Sequence, residues 1–236
     1  MSDWKAKRFW KQAEAVETDG GFTVQLDGRA VKTPAKTTLV VPSLAMAQAI
    51  AAEWDAQEDA INPLTMPVTR GANAALDKVA TQFDEVVDLL ADYADSDLLC
   101  YRATGPDALV ARQAEKWDPL LDWAANTIGA RLFVGEGVMH VPQTRDALAT
   151  FKSQLTALTP FQLTAAHDLI SLSGSIVLAL AVMRGHLDPD AAWLLSRVDE
   201  HWQIEQWGDD EDAAAQEEIK RRAFEDAARF FEMSLP

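Results

Sequence analysis

Cysteine is almost missing from this chain, which holds Cys100 as its one cysteine among 236 residues. A single thiol cannot close an intramolecular disulfide, so a secreted scaffold held by disulfides is excluded. No cysteine or histidine spacing suits a structural zinc site. Both absences favour a soluble protein in a reducing compartment.

Basic residues are also scarce, with 21 lysines and arginines against 37 aspartates and glutamates and a net charge of −16 at pH 7. Such a surface repels phosphate backbones and anionic lipids, so we expect no nucleic-acid partner. Long apolar runs are missing too. The most apolar window, residues 169–183, spans about 15 residues and contains serines, whereas a bilayer span needs roughly 20 apolar residues. We therefore expect no membrane insertion.

The common catalytic motifs are absent, since the chain has no G-x-S-x-G elbow, H-E-x-x-H, Walker loop or G-x-G-x-x-G. Three serines, Ser171, Ser173 and Ser175, follow a histidine and an aspartate. They fall within one helical pattern, where serine hydroxyls usually bond back to backbone carbonyls. We predict no catalytic residue, no metal ligand and no cofactor.

The start of the chain, MSDWKAKRFW, contains basic residues but no apolar segment after them. We interpret it as mature protein rather than as a signal peptide. With 48% apolar residues, the chain can bury a sizeable core, so global disorder is excluded.

Turn signals divide the sequence before Pro42 into short alternating stretches. Asp27-Gly28 between two such stretches predicts a hairpin, because a type I′ turn needs positive φ at both central residues. The alternation predicts that Thr23 faces water. The expected strands form an antiparallel meander over Ala13–Thr18, Phe22–Leu26, Arg29–Thr33 and Thr37–Val41.

After Pro42 the apolar period becomes helical, with Ser43 as the expected N-cap of the first helix. Pro119 should kink or divide its helix. Glycines at 129, 135 and 137 indicate a loop or short hairpin. The expected helices cover 43–57, 72–93, 105–124, 144–158, 160–184, 189–207 and 209–233.

These patterns predict an α+β fold with two domains. Residues 1–66 would form a small antiparallel β-rich N-terminal domain that includes one helix. Residues 67–236 would form a multihelical, all-α C-terminal domain.

Nine acids and no lysine or arginine occupy residues 199–218. Helix electrostatics explain those at 209–212, because carboxylates are favoured at the start of a helix. They do not explain Glu200 and Glu205, which alternate with Trp202 and Trp207. Acids beside exposed aromatic surface suit a basic, apolar patch on another protein. A solvated acidic face with tryptophans in the core explains the pattern equally well, and both interpretations stay open at this point.

Several motifs occur in a set order along the whole chain: Lys7-Arg8-Phe9-Trp10-Lys11, residues 24–34, Ala52-Glu53-Trp54, Met66-Pro67, Asp97-Leu98-Leu99-Cys100-Tyr101-Arg102, Gln113 with Trp117-Asp118-Pro119, Ser173-Gly174-Ser175, and Asp199-Glu200 with Gln203 and Trp207-Gly208. Together they resemble the ATP synthase F(1) alpha-subunit assembly chaperones. The resemblance implies a β-rich N-terminal domain, an all-helical second domain and no enzymatic activity.

The resemblance also implies a partner and a site. The expected partner is the free alpha subunit, which the chaperone holds until the beta subunit replaces it. Expected partner-binding residues are Glu200, Gln203, Glu205, Trp207 and Asp210. Mitochondrial members begin with a targeting sequence, whereas Met1 here lies almost against the first motif. We expect a bacterial, cytoplasmic protein that is monomeric when free.

Two alternatives come from other functional classes. One is a metal- or carboxylate-dependent hydrolase with its site between the two domains. The other is a scaffold for a basic partner unrelated to ATP synthase.

Overall fold

The computed structural model describes residues 7–235, in which a small antiparallel sheet is followed by helices, and this confirms the predicted α+β class. Residues 1–6, part of the start interpreted as mature protein, lie outside the described residues. The chain divides into two compact units. Among the described residues, one unit contains 7–83, Thr159–Ala165 and 229–235, and the other contains Asp84–Leu158 and Ala166–Ala228. The domain boundary predicted after residue 66 stays a prediction.

The antiparallel sheet consists of β1 (Ala13–Thr18), β2 (Gly21–Leu26), β3 (Arg29–Ala30) and β4 (Val40–Val41). Strand β2 pairs with each of the other three. At the turn before β3, Asp27 and Gly28 have φ values of 47° and 79°. Positive φ at both positions is what a type I′ turn requires, so the predicted hairpin is confirmed.

Thr23 does not face water as the alternation predicts. It is buried, and its hydroxyl donates to the Leu39 carbonyl oxygen at 2.7 Å. The segment that carries Leu39 returns along β2, because the Val31 N–H bonds to the Val24 carbonyl and the Leu39 N–H bonds to the Val31 carbonyl. A threonine can be buried when its hydroxyl has a hydrogen-bond partner. The alternation of apolar and polar residues in β2 does not show that the segment with Leu39 covers this face of the strand.

The helices are α1 (Leu44–Asp55), α2 (Pro67–Ala74), α3 (Phe83–Ala91), α4 (Asp107–Trp123), α5 (Arg145–Thr156), α6 (Pro160–Ser173), α7 (Ile176–Met183), α8 (Pro189–Ser196), α9 (Val198–Trp207) and α10 (Glu211–Met233). The short strands β5 (Tyr101–Arg102) and β6 (Gly135–Glu136) pair in parallel. The predicted glycine-rich loop or hairpin is therefore a loop paired to a distant segment. Within residues 7–235, the structure contains no helix with the length and apolar character to span a bilayer.

Helix α1 packs against β1 and β2 and also orders the start of α2. The Ser43 hydroxyl accepts the Met46 N–H, as expected of an N-cap. Near the end of α1, the Glu53 carboxylate accepts the backbone N–H groups of Val68 and Thr69 at 2.7 and 2.8 Å. The first N–H groups of a helix have no partner within the helix, so a carboxylate stabilises them. This contact joins the Ala52-Glu53-Trp54 motif to the two residues that directly follow Met66-Pro67.

Three stretches predicted as single helices are interrupted. The stretch 72–93 contains a short π-helix at Ala75–Val79 before α3 begins. The stretch 160–184 breaks at Gly174, where φ is +72°. The stretch 189–207 breaks at Arg197, with φ −113° and ψ 18°. A break of one or two residues leaves the helical spacing of the apolar residues almost unchanged. That spacing therefore does not reveal where a helix is interrupted.

Helix α4, by contrast, continues through Pro119 as one element. Of the two predicted effects of this proline, the division of the helix is therefore wrong, and the kink stays a prediction.

Candidate functional site: a groove between α9 and α10

The five residues predicted to bind a partner lie on α9 and just before α10, and four of them line one groove. These four are Glu200, Gln203, Trp207 and Asp210. The groove lies between α9 and α10 and has a volume of about 470 Å³. We call it the acidic groove. Glu205 is not part of its lining, and the binding role of all five residues stays a prediction.

Helix α9 is only slightly buried, since Val198 is its one buried residue. An amphipathic helix is usually positioned by a wide apolar face packed on the core. The position of α9 therefore depends largely on polar contacts with its neighbours, and both of its sides remain accessible.

Trp207 ends α9 with its indole 80% exposed, next to Gly208 at φ +92°. This excludes the interpretation that every tryptophan of the acidic stretch belongs to the core. Ile204, Ala213 and Ala214 contribute apolar surface beside it in the groove. A large aromatic side chain at the mouth of a partly apolar groove is typical of a protein-binding surface.

Acids outnumber bases in the groove lining. The acids are Glu200, Asp209, Asp210 and Glu217, and the bases are Arg197 and Lys220. Glu200 Oε1 lies 3.0 Å from Arg197 Nη1. Asp210 Oδ1 accepts the Ala213 N–H at 2.9 Å, so its carboxylate also caps α10, as helix electrostatics predicts. The excess of acid favours a partner surface that carries basic residues.

One contact joins the two walls of the groove directly. The imidazole Nε2 of His201, on α9, lies 3.0 Å from Glu217 Oε1, on α10. Both side chains are about one-third exposed or less. This contact fixes the spacing of the two helices.

Glu205 points to the other side of α9 and pairs with Arg112 of α4. The guanidinium donates to both carboxylate oxygens at 2.7 and 2.8 Å. The Cζ atom of the Arg112 guanidinium also lies 4.7 Å from the centre of the Trp202 ring. Hydrogen bonding to Arg112 lowers the pKa of Glu205 below its usual value. Glu205 is therefore paired on the side of α9 that faces α4, whereas Glu200 contacts Arg197 and Glu217 contacts His201.

Gln113 forms a second connection between α4 and α9. Its side-chain amide donates to Asp199 Oδ1 at 2.6 Å, and its carbonyl oxygen accepts the Ala103 N–H at 2.8 Å. Because residues 112 and 113 are adjacent on α4, the two connections hold α9 from one short segment. Gln113 belongs to one of the quoted motifs, whereas Arg112 does not, and its position next to Gln113 is the one sequence signal that points to it.

The chain is similar to several known proteins. A family model described as ATP12 chaperone protein matches residues 7–125, about half of the chain. The chain belongs to the ATP12 chaperone family. Mitochondrial protein atp12 of Schizosaccharomyces pombe is 27% identical over 221 residues, covering 88% of this chain and 75% of the yeast protein.

Solved structures of ATP12 proteins share the fold of this family member. The crystal structure of Atp12 from Paracoccus denitrificans has a TM-score of 0.95 and 48% identity, covering 99% of this chain and all of that one. A structure of an aspartate-to-lysine mutant of the same Paracoccus protein matches at 47% identity with the same TM-score and coverage. Atu1473 of Agrobacterium tumefaciens, a putative chaperone, matches at 45% identity and TM-score 0.92, covering 96% of this chain and 85% of that one.

In this ATP12 family member, two of the quoted motifs meet at a buried carboxylate, Asp97, which is 0% exposed. Asp97 accepts hydrogen bonds from the Ser175 hydroxyl at 2.9 Å, the Leu99 N–H at 2.9 Å and the Val177 N–H at 3.1 Å. It thus holds the start of α7, where the helix predicted over 160–184 breaks after Gly174. We call this cluster the Asp97 junction.

Burial raises the pKa of Asp97 from 3.8 to about 6, although its hydrogen bonds act in the opposite direction. Burial likewise raises the pKa of the neighbouring Cys100 thiol to about 12, with a smaller contribution from the Asp97 charge. The thiol is therefore unreactive at neutral pH.

The other serines behave as the sequence predicts. The Ser171 hydroxyl donates to the His167 carbonyl at 2.7 Å, and the Ser173 hydroxyl donates to the Leu169 carbonyl at 2.6 Å. The imidazole of His167 contacts Asp168.

Proposed function

We propose that this protein is an assembly chaperone that binds the free alpha subunit of the F(1) sector of ATP synthase, without enzymatic activity of its own. It covers the surface of the alpha subunit that later contacts the beta subunit. Membership of the ATP12 chaperone family and the ordered motifs support the function. The observation that carries the proposed binding site is the acidic groove with the exposed Trp207 at its edge.

The groove chemistry suits a chaperone that must release its client. An unassembled subunit exposes an apolar interface that aggregates unless it is covered. The chaperone must bind that subunit more weakly than the beta subunit does, so that exchange needs no energy source. Acidic residues at the groove accelerate encounter with a basic patch but add little to the lifetime of the complex.

We further propose that the free protein is a monomer in the bacterial cytoplasm. A net charge of −16 opposes association between copies of the same chain. Light scattering coupled to gel filtration measures the mass in solution, and a dimer at micromolar concentration would contradict this part of the proposal.

Reversing one charge in the groove tests the proposed site. Glu200→Lys places a second base beside Arg197 and removes one of the four acids of the groove. We expect capture of purified alpha subunit to fall roughly tenfold in a pull-down, as for a central interface residue.

Glu232→Lys is the matched control, because it makes the same charge change at an exposed residue outside the groove lining. Equal capture by Glu200→Lys and wild type would remove Glu200 from the interface. If wild-type protein captures no alpha subunit but copurifies with another protein, the proposed partner is wrong.

A further inference from the structure

A second accessible apolar surface lies on the loop that contains β6, which contributes no residue to the lining of the acidic groove. Four apolar side chains within residues 133–139 are exposed: Val138 at 96%, Met139 at 77%, and Phe133 and Val134 at about half. Single exposed apolar residues are common on protein surfaces, whereas four within seven residues usually mark an interaction site. We call residues 133–139 the apolar loop.

Hydrogen bonds hold the backbone of the apolar loop at its first residue and in its middle. The Gln143 side chain accepts the Phe133 N–H at 2.7 Å and donates to the Phe133 carbonyl at 3.0 Å. The Gln143 N–H donates to Asp95 Oδ1 at 3.1 Å. In the middle, the Gly137 N–H donates to the Arg102 carbonyl at 2.8 Å, next to the pairing of β5 with β6.

This bonding pattern separates the role of the backbone from that of the side chains. The backbone of the loop is held at Phe133, β6 and Gly137 by bonds to the rest of its unit, while its apolar side chains are exposed to water. A fixed loop loses little conformational entropy when a partner covers it, so its apolar surface is available for binding. Methionine adapts to partner surfaces of varied shape.

The charge of the apolar loop differs from that of the whole chain. Glu136 is its one charged residue, and Arg131 precedes the loop by two positions. The net charge of residues 131–139 is therefore close to zero, in a chain whose net charge is −16. The complementary surface is therefore apolar and nearly uncharged, unlike the basic surface that suits the acidic groove.

A second copy of this chain does not fit the apolar loop well, because two molecules of charge −16 repel each other on approach. A subunit that has not yet assembled does fit, because the buried centre of a subunit interface is apolar and poor in charged residues. We propose that the apolar loop binds an uncharged apolar strip of the client alpha subunit. This inference rests on the proposed function and adds a second contact, of different chemistry, to the acidic groove.

Site-specific photo-cross-linking tests the inference. A benzophenone maleimide is attached to Val138→Cys, Trp207→Cys or Leu89→Cys, and each labelled protein is irradiated with purified alpha subunit. Cys100 does not compete for the label, because it is 1% exposed and burial raises the pKa of its thiol. Leu89 is the control position, 57% exposed on α3 and outside both surfaces. We expect cross-links from positions 138 and 207 but not from 89.

A capture measurement complements the cross-links. The double variant Val138→Ser with Met139→Ser should weaken capture of the alpha subunit roughly fivefold, and Leu89→Ser should leave it unchanged. All three changes occur at exposed side chains, so each variant should fold as wild type does.

The outcomes separate the two proposals. Cross-linking from 207 alone, with unchanged capture by the double variant, overturns the apolar loop contact and leaves the proposed function intact. Cross-linking of position 138 to a second copy, or equal cross-linking from 89, also overturns the contact. If the wild-type protein does not hold the alpha subunit at all, the proposed function fails and the inference fails with it.

Discussion

Asp97 and Asp210 are both carboxylates at the start of a helix, but one is enclosed by protein and the other is in water. Asp97 is fully buried and accepts three hydrogen bonds from Ser175, Leu99 and Val177. Asp210 caps α10 with one hydrogen bond and also lines the acidic groove. The same chemical group therefore organises the interior in one region and lines an accessible groove in the other.

The difference shows how motif residues divide their roles in this protein. At the Asp97 junction a substitution leaves buried donors without partners, which costs stability. At the acidic groove we expect a substitution at an exposed side chain, such as Trp207, to change the surface that a partner meets and to cost little stability. The predictions below test this division, from the largest expected effect to the smallest.

Asp97→Ala should have the largest effect, because the buried N–H groups of Leu99 and Val177 and the O–H of Ser175 each lose the acceptor that Asp97 provides. We expect a loss of roughly 4 kcal/mol in the free energy of unfolding, measured by urea denaturation. Asp92→Ala, at an exposed position, is the control. A loss no larger than the control's would mean that the junction does not stabilise the fold.

The titration of Asp97 gives the second prediction. Its pKa is raised from 3.8 to about 6, so between these values the folded state keeps a proton that the unfolded state releases. The stability that Asp97 contributes is therefore full below about pH 4 and is lost as pH rises through about 6.

The non-titrating variant Asp97→Asn isolates this contribution. The advantage of wild type over Asp97→Asn should shrink by up to about 3 kcal/mol between roughly pH 4 and pH 7. Urea unfolding of both proteins at the two pH values measures it. An advantage that is constant with pH would contradict the raised pKa.

Trp207→Ala should leave stability unchanged, because the indole is 80% exposed. Capture of the alpha subunit should fall roughly tenfold, since an aromatic side chain often dominates an interface. Titration calorimetry measures the affinity, and thermal unfolding measures the stability. Leu194→Ala, at a 56% exposed residue of α8, should change neither. A fall in melting temperature for Trp207→Ala would assign the residue to the fold.

Arg112→Ala should have the smallest effect. Without Arg112, the pKa of Glu205 should return toward its ordinary value, which NMR titration of the carboxylate detects. We expect capture to weaken roughly threefold because α9 loses one connection to α4. Arg112→Lys should restore capture only in part, because lysine lacks the fork that binds both oxygens. Full rescue by lysine would mean that charge alone positions α9.

Much of the fold follows from local sequence patterns. The Asp27-Gly28 turn and the Ser43 cap depend on residues close to one another in the chain, and both are confirmed. The helix breaks at Gly174 and Arg197 were missed, because they depend on contacts that local periodicity does not contain. Just after Gly174, Ser175 and Val177 donate to Asp97, which lies far away in the sequence.

The candidate site was predicted in part. The sequence indicated the segment and its acids, and four of the five named residues line one groove. It could not separate Glu205 from Glu200, because both are acids on one short helix. Glu205 is set apart by its ion pair with Arg112, a residue 93 positions earlier in the chain, on the side of α9 away from the groove.

By itself, the sequence determined the α+β class, the excess of acid and its concentration in residues 199–218, because composition and periodicity are properties of the chain. Only the tertiary structure decided which carboxylates are buried, paired or left in the acidic groove. Burial and pairing depend on which distant segments meet, and the energy of a charged group changes far more with those surroundings than with its neighbours in the chain.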